Sequence, residues 1–158
     1  MSGVLGLDMS YTRSGLVWIE SVPGEPYLVQ SKTITIRPGP RRLYRACRLI
    51  MDAIALFEKP KLAVLEDGFF AGSQKVTRML RELNAITKLV LESANIEWVE
   101  ISSTKCKKWM ADRGDAEKYQ VAEALKRKFG IEFPDDPGFD LSDAASLACY
   151  GLANGGKQ

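Results

Sequence analysis

Four carboxylates stand where this chain could put them to chemical use. Asp8 ends one apolar run, Glu66 ends another, and Asp140 and Asp143 lie three residues apart near the C-terminus. A pair at i, i+3 projects from one face of a helix. Carboxylates gathered in one cluster repel each other unless a cation sits among them. Oxygen-only ligation suits Mg²⁺, with Mn²⁺ as a substitute, because these hard ions prefer carboxylates and keep waters. Two such ions about 4 Å apart activate water and stabilise the leaving oxygen in phosphodiester hydrolysis. That route needs no histidine, and the 158-residue chain has none. A Ser-His-Asp triad, a Cys-His pair, a His-zinc site and an imidazole proton shuttle are therefore excluded. Each acid also admits a structural reading. Asp8 could cap a turn with Ser10 and Thr12, and Asp140 and Asp143 suit a helix N-terminus.

The elements that must position these acids are legible in outline. Residues 4–8 read as a short apolar strand, 9–15 as a polar turn and 16–20 as a second strand. After a Pro-Gly turn, residues 27–36 alternate as a half-buried strand does. Residues 41–57 repeat Ala46, Ile50, Ile54 and Phe57 at helical spacing. Residues 62–65 are apolar without alternation, as expected of a strand buried on both faces, and end on Glu66. A Gly-containing loop leads to a helix over 74–94, a strand over 96–101, helices near 104–112 and 116–129, and a last helix from 141 to about 152. The order β-β-β-α-β-α-β-α-α-α predicts a mixed sheet with helices on its faces. The first and fourth strands are then neighbours in the sheet centre, with Asp8 and Glu66 side by side. One domain over 1–154 is expected, with a frayed tail at 155–158.

Composition is that of an ordinary globular protein, 46% hydrophobic and 27% charged. Cys47, Cys106 and Cys149 form no C-x-x-C pair, which argues against structural zinc and for a reducing cytosol, with all three thiols buried. No run is long enough to span a membrane. The net charge of +2 hides an uneven distribution. Residues 37–48 hold five basic side chains and no acid, and 105–128 hold eight against four. Such local excess suits a phosphate-binding surface, and equally a solvated helix face. Lys107, Lys108, Arg113 and Lys118 are the stronger candidates, since they fall between two of the acidic motifs. Phe69 and Phe70 follow a glycine in a loop, where aromatics either fold into core or offer a stacking face.

These motifs in series resemble the RuvC-like Holliday junction resolvases of the RNase H-like superfamily. The segment Leu5-Gly6-Leu7-Asp8 with Ser10, Thr12 and Gly15 looks like the family's first strand and turn, with Met9-Ser10 in place of the usual Pro-Gly. Leu65-Glu66 followed by Phe69 resembles the second motif. The segment from Gly114 through Ala116 and Lys118 to Val121 resembles the G-x-A-x-K-x-x-V segment, and Asp140 to Ala145 the closing D-x-x-D-A helix.

The resemblance implies an RNase H-like α/β fold, a mixed five-stranded sheet with helices on both faces. It also implies a metal-dependent endonuclease that nicks Holliday junctions and other branched DNA symmetrically. By position, Asp8, Glu66, Asp140 and Asp143 match the four metal-binding acids of a two-ion site. Lys107 and Lys118 match basic residues near the scissile phosphate, with Lys118 counted in the catalytic group. Phe69 matches an aromatic that stacks on unpaired bases. Phe70, Lys105, Lys108 and Arg113 complete the expected DNA-binding set. A homodimer built largely on the long second helix is implied, with no organic cofactor and no membrane partner. The chain looks most like the smaller phage-encoded branch. Asp67 beside Glu66, Phe70 beside Phe69, and Asp135 and Asp136 before the last helix depart from the pattern, and could alter which branched structures are cut. Two other readings stay open: an RNase H-like nuclease acting on structured RNA, and a non-catalytic junction-binding protein.

Overall fold

The computed structural model describes residues 3–25, 27–58, 60–68 and 72–155. Among these, five strands form one sheet: β1 (Val4–Asp8), β2 (Ser14–Glu20), β3 (Leu28–Ile34), β4 (Leu62–Glu66) and β5 (Glu97–Ile101). Their order across the sheet is β3-β2-β1-β4-β5. The first three strands form an antiparallel meander, and β1, β4 and β5 run parallel. Helices α1 (Arg42–Ile54) and α2 (Gln74–Ser93) cover one face; α3 (Ser103–Ala111), α4 (Lys118–Phe129) and α5 (Asp140–Asn154) cover the other. This is the expected mixed five-stranded sheet, and the parallel crossovers run through helices as such connections must.

Side-chain alternation along the strands decides which residues meet which helices. Leu5, Leu7, Ala63 and Leu65 face α1 and α2. Val4, Val64 and the other alternate positions face α5. The parallel register pairs Leu7 with Leu65, so Asp8 and Glu66 fall on the next rung, on the α5 face.

That helix lies close to the sheet because small residues meet across the contact. A Cβ on Gly6 would come 2.7 Å from the Ala148 nitrogen and closer to the Ala144 carbonyl oxygen. Gly151 likewise sits between Val4 and Val64. The helix therefore runs antiparallel to β1, and its first turn arrives beside Asp8.

Two expectations need correction. The strand over 27–36 is not half-buried along its length: Leu28 to Lys32 are exposed, and burial is confined to Ile34 and Ile36. It is an edge strand, and α1 reaches only part of it. Cys47 is only partly buried, because it lies between the core and solvent faces of α1, whereas Cys106 and Cys149 are buried as expected. No helix of the described residues is long and apolar enough to cross a membrane. Gly155 closes α5 at φ 58°, and the rest of the expected tail lies outside the described residues.

Candidate active site

The parallel strands deliver two carboxylates and α5 delivers two more to the same edge of the sheet. Asp8, Glu66 and Asp143 line one cleft of about 110 Å³ with Ser103, Cys106, Lys107, Lys118 and Ser146. Asp140 stands at its rim, one helical turn from Asp143. Lys118, the first residue of α4, bridges the pair: its Nζ lies 3.0 Å from Asp143 Oδ2 and 4.0 Å from Asp140 Oδ1, and donates to the Gly138 carbonyl at 3.1 Å. Chain-distant acids that the sequence spacing could only suggest are thus brought together.

Electrostatics mark the cluster as strained when no cation is present. Burial pushes the Asp8 carboxyl well up, and repulsion from Asp143 and Glu66 adds to it against the pull of Lys118. Glu66 is raised by burial and by Asp143, opposed by Lys107, Lys118 and a hydrogen bond from Ser103. Asp143 is raised by burial although Lys118 and Lys107 hold it down. At Lys118, burial disfavours the charge, but Asp143, Asp8 and Asp140 outweigh it and leave the ammonium above its ordinary range. The Cys106 thiol beneath the cleft is pushed up to about 12 by burial, then by Glu66 and Asp143, so it is inert.

The position of α5 depends on a residue whose role the sequence did not disclose. Asp136 is buried, and its carboxylate accepts from the Leu141 and Ser142 backbone N–H groups at 3.2 and 2.9 Å and from the Ser142 hydroxyl at 3.1 Å. It caps the helix through a loop in which Phe139 adopts φ 58°. Asp140 is therefore the first helical residue and not the cap. An Asp a few residues ahead of a helix start was the available signal. Asp8 makes no cap either: Ser10, Thr12 and Ser14 bond to each other across the turn. Arg13, in the same turn, places its Nε 3.3 Å from Asp140 Oδ2. Asp67 is exposed and continues the backbone pairing of β4 to the Ile101 carbonyl.

The expected DNA-contacting residues divide by place. Lys107 and Lys118 reach the cleft. Lys108 is exposed on α3. Lys105 turns toward the Tyr150 ring, 5.9 Å away and well down α5 from the acids. Arg113 donates two hydrogen bonds to Asp115, at 3.1 and 3.0 Å. Phe69 and Phe70 lie outside the described residues. The basic stretch 37–48 is partly structural, since Arg45 donates to the carbonyls of Pro40, Arg37 and Pro38, and Arg42 pairs with Glu82.

The family model of the crossover junction endodeoxyribonuclease RuvC matches residues 4–150, which takes in all four acids. The chain belongs to the RuvC family. Full-length relatives resemble it throughout. A crossover junction endodeoxyribonuclease RuvC of Prochlorococcus marinus (strain MIT 9303) is 27% identical over 94% of this chain and 96% of its own. The RuvC of Campylobacter lari is 27% identical over 96% of each. The structure of Thermus thermophilus RuvC in complex with a Holliday junction substrate superposes with a TM-score of 0.78 at 18% identity, covering 96% of this chain and 93% of that one. The fold is thus that of RuvC.

RuvC membership implies a nuclease that depends on a divalent metal. The donor set is compatible with one: the acids offer only oxygen, and three of them carry raised carboxyls that a cation would relieve. Among the described residues no three acids stand as a closed ligand set, and Lys118 lies between Asp140 and Asp143 as their counter-charge.

Proposed function

We propose that this chain is a homodimeric, Mg²⁺-dependent endonuclease that nicks four-way and related branched DNA at symmetric positions. The observation that carries the reading is the convergence of Asp8 and Glu66, on one rung of the adjacent strands β1 and β4, with Asp140 and Asp143 on the first turn of α5. In this reading these four acids hold two Mg²⁺ ions, with Mn²⁺ able to substitute. A divalent cation in the cluster supplies Lewis acidity toward the phosphate and makes water a stronger acid.

The chain's own residues do the rest. Asp8 and Glu66 are only partly exposed, which limits how far bulk water screens their charge. Lys118, which lines the cleft beside Asp143 and Asp140, would offset negative charge that develops on a phosphate bound there. Lys107 adds a second positive charge to the lining of the cleft. Water adds to phosphorus, one bridging P–O bond breaks, the leaving oxygen takes up one of water's two protons, and the other is released.

Two further features support the reading. Val76 and Leu89 are exposed on α2, Leu43 and Met51 on α1, and Leu56 just after it, apolar side chains available to a second copy. Three unpaired cysteines suit a reducing cytosol. Phe69 and Phe70 remain candidates for stacking on unpaired bases, on the strength of the motif alone.

The test is a set of isosteric variants. Glu66→Gln and Asp143→Asn should each lower Mg²⁺-dependent nicking by at least about 10³-fold while junction binding in EDTA persists. Nicking at the wild-type rate in both would remove the site assignment.

A further inference from the structure

We propose that Arg13 contacts the DNA phosphate in this active site, presented by a locked turn and kept in register by Asp140. The proposal rests on the reading of the cleft as the place where a DNA backbone phosphate is cut.

The turn leaves β1 at Asp8 and returns to β2 at Ser14, and it is tied on both sides. Inside, the Ser10 N–H donates to Ser14 Oγ at 2.9 Å and the Ser14 hydroxyl donates back to the Ser10 carbonyl at 2.8 Å. The Thr12 N–H donates to Ser10 Oγ at 3.1 Å, and the Ser10 and Thr12 hydroxyls bond at 2.8 Å. Outside, the Tyr11 hydroxyl donates to Glu82 of α2 at 3.0 Å. Arg42 of α1 donates to the same oxygen at 2.9 Å, and its guanidinium stands 5.2 Å from the Tyr11 ring centroid. At the return, Gly15 lets β2 lie directly against the Asp140 backbone.

Arg13 is thereby fixed beside Asp140, yet it does not pair with that carboxylate as a structural arginine does. Arg113 shows the alternative on the same molecule, donating twice to Asp115. Arg13 instead turns its edge to Asp140: Nε lies 3.3 Å from Oδ2, buried and without a hydrogen bond among the described residues. The side chain is about one-third exposed. Its two terminal amino groups make no hydrogen bond among the described residues, and they are the part of a planar fork that binds a phosphate through two parallel N–H groups. Lys118 approaches the other oxygen of Asp140. The two cations bracket Asp140, with Lys118 lining the cleft and Arg13 on the other side of the carboxylate.

Arg13→Gln and Arg13→Lys test this on the full chain with a four-way junction. Binding is measured in EDTA across a salt series, cleavage in Mg²⁺ under single turnover, and Mn²⁺ binding to the free protein by calorimetry. Loss of one phosphate contact should reduce the slope of log K against log salt by about 0.9. Arg13→Gln should also slow cleavage about 10²–10³-fold. It should tighten Mn²⁺ binding, because a positive charge beside Asp140 is gone. Arg13→Lys should restore the salt slope but not the rate, since an ammonium cannot supply the fork. An Arg13→Gln protein with wild-type salt slope, weaker Mn²⁺ binding and a lowered Tm would show a brace for Asp140 and overturn the proposal. Asp8→Asn, run in parallel, separates the two levels. If it still cleaves, the reading of the cleft fails. If it is inert while Arg13→Gln keeps the wild-type rate and slope, only the role of Arg13 fails.

Discussion

Gly15→Ala tests whether the acids on α5 work because of where the sheet holds them. Gly15 lies in β2, paired with Asp8 on β1, and its missing side chain faces the first turn of α5. An added Cβ would stand 2.5 Å from the Asp140 carbonyl carbon, 3.1 Å from the Leu141 nitrogen and closer still to the Asp140 oxygen. These are backbone atoms of a buried, capped helix, so no rotamer change relieves them. Ordinary contact begins near 3.4 Å, and the shortfall at the carbonyl carbon (3.4 less 2.5) is about 0.9 Å. The N-terminus of α5 must move at least that far, carrying Asp140 and Asp143 away from Asp8 and Glu66. Overpacking of this kind costs about 1–3 kcal/mol, or a Tm lower by about 3–9 °C for a chain of this size. A displacement near 1 Å in a catalytic constellation costs on the order of 10²-fold in rate. The assay is single-turnover nicking of a four-way junction in Mg²⁺, with junction binding in EDTA and thermal unfolding alongside. The expected outcome is a rate loss near 10²-fold with binding nearly unchanged. A folded Gly15→Ala protein that nicks within threefold of wild type would refute the reasoning.

Other outcomes follow from the same geometry. Asp8→Asn should abolish nicking yet raise the Tm of the metal-free protein at neutral pH, because a buried, repelled carboxylate is removed; thermal unfolding in EDTA reads this directly. The raised carboxyls of Asp8, Glu66 and Asp143 mean that the folded chain holds protons more tightly than the unfolded one. Stability in EDTA should therefore fall as pH rises from the ordinary carboxylate range, roughly 4, through the raised values, and Mg²⁺ should flatten that slope; a flat EDTA profile would count against the cluster. Asp136→Ala removes the cap of α5 and should cost about 2 kcal/mol by denaturant titration, with kcat falling more than KM rises. Lys118→Met should lower both the nicking rate, by about 10²-fold, and the Tm of the metal-free protein, since the acids lose their counter-charge.

The fold was largely legible because its signals are local. Leu5-Gly6-Leu7-Asp8 and Leu62 to Glu66 announce buried strands ending on acids, and the helices of the C-terminal half show their periodicity plainly. The convergence of Asp8 with Glu66 followed from strand order, and that of Asp140 with Asp143 from helical spacing. Edge exposure of β3 was not legible, because alternation states which residues share a face but not whether anything covers it. Arg13 was invisible for another reason: its partner Asp140 is distant in the chain, and a lone arginine in a polar turn carries no periodic mark. Asp136 was noticed only as a loop acid, since a cap reached through a left-handed Phe139 departs from the usual N-cap spacing. Arg113 and Arg45 illustrate the converse, where charge suggested DNA and the fold gives each a partner of its own.

The most direct measurement offers the purified chain labelled four-way junction, three-way junction, linear duplex and structured RNA, each with EDTA or Mg²⁺, beside the Asp8→Asn variant. The account predicts paired nicks at symmetric positions near the crossover of the four-way junction, dependent on Mg²⁺ and absent with Asp8→Asn. Equal cutting of linear duplex, preference for RNA, or nicking that survives in Asp8→Asn would contradict it.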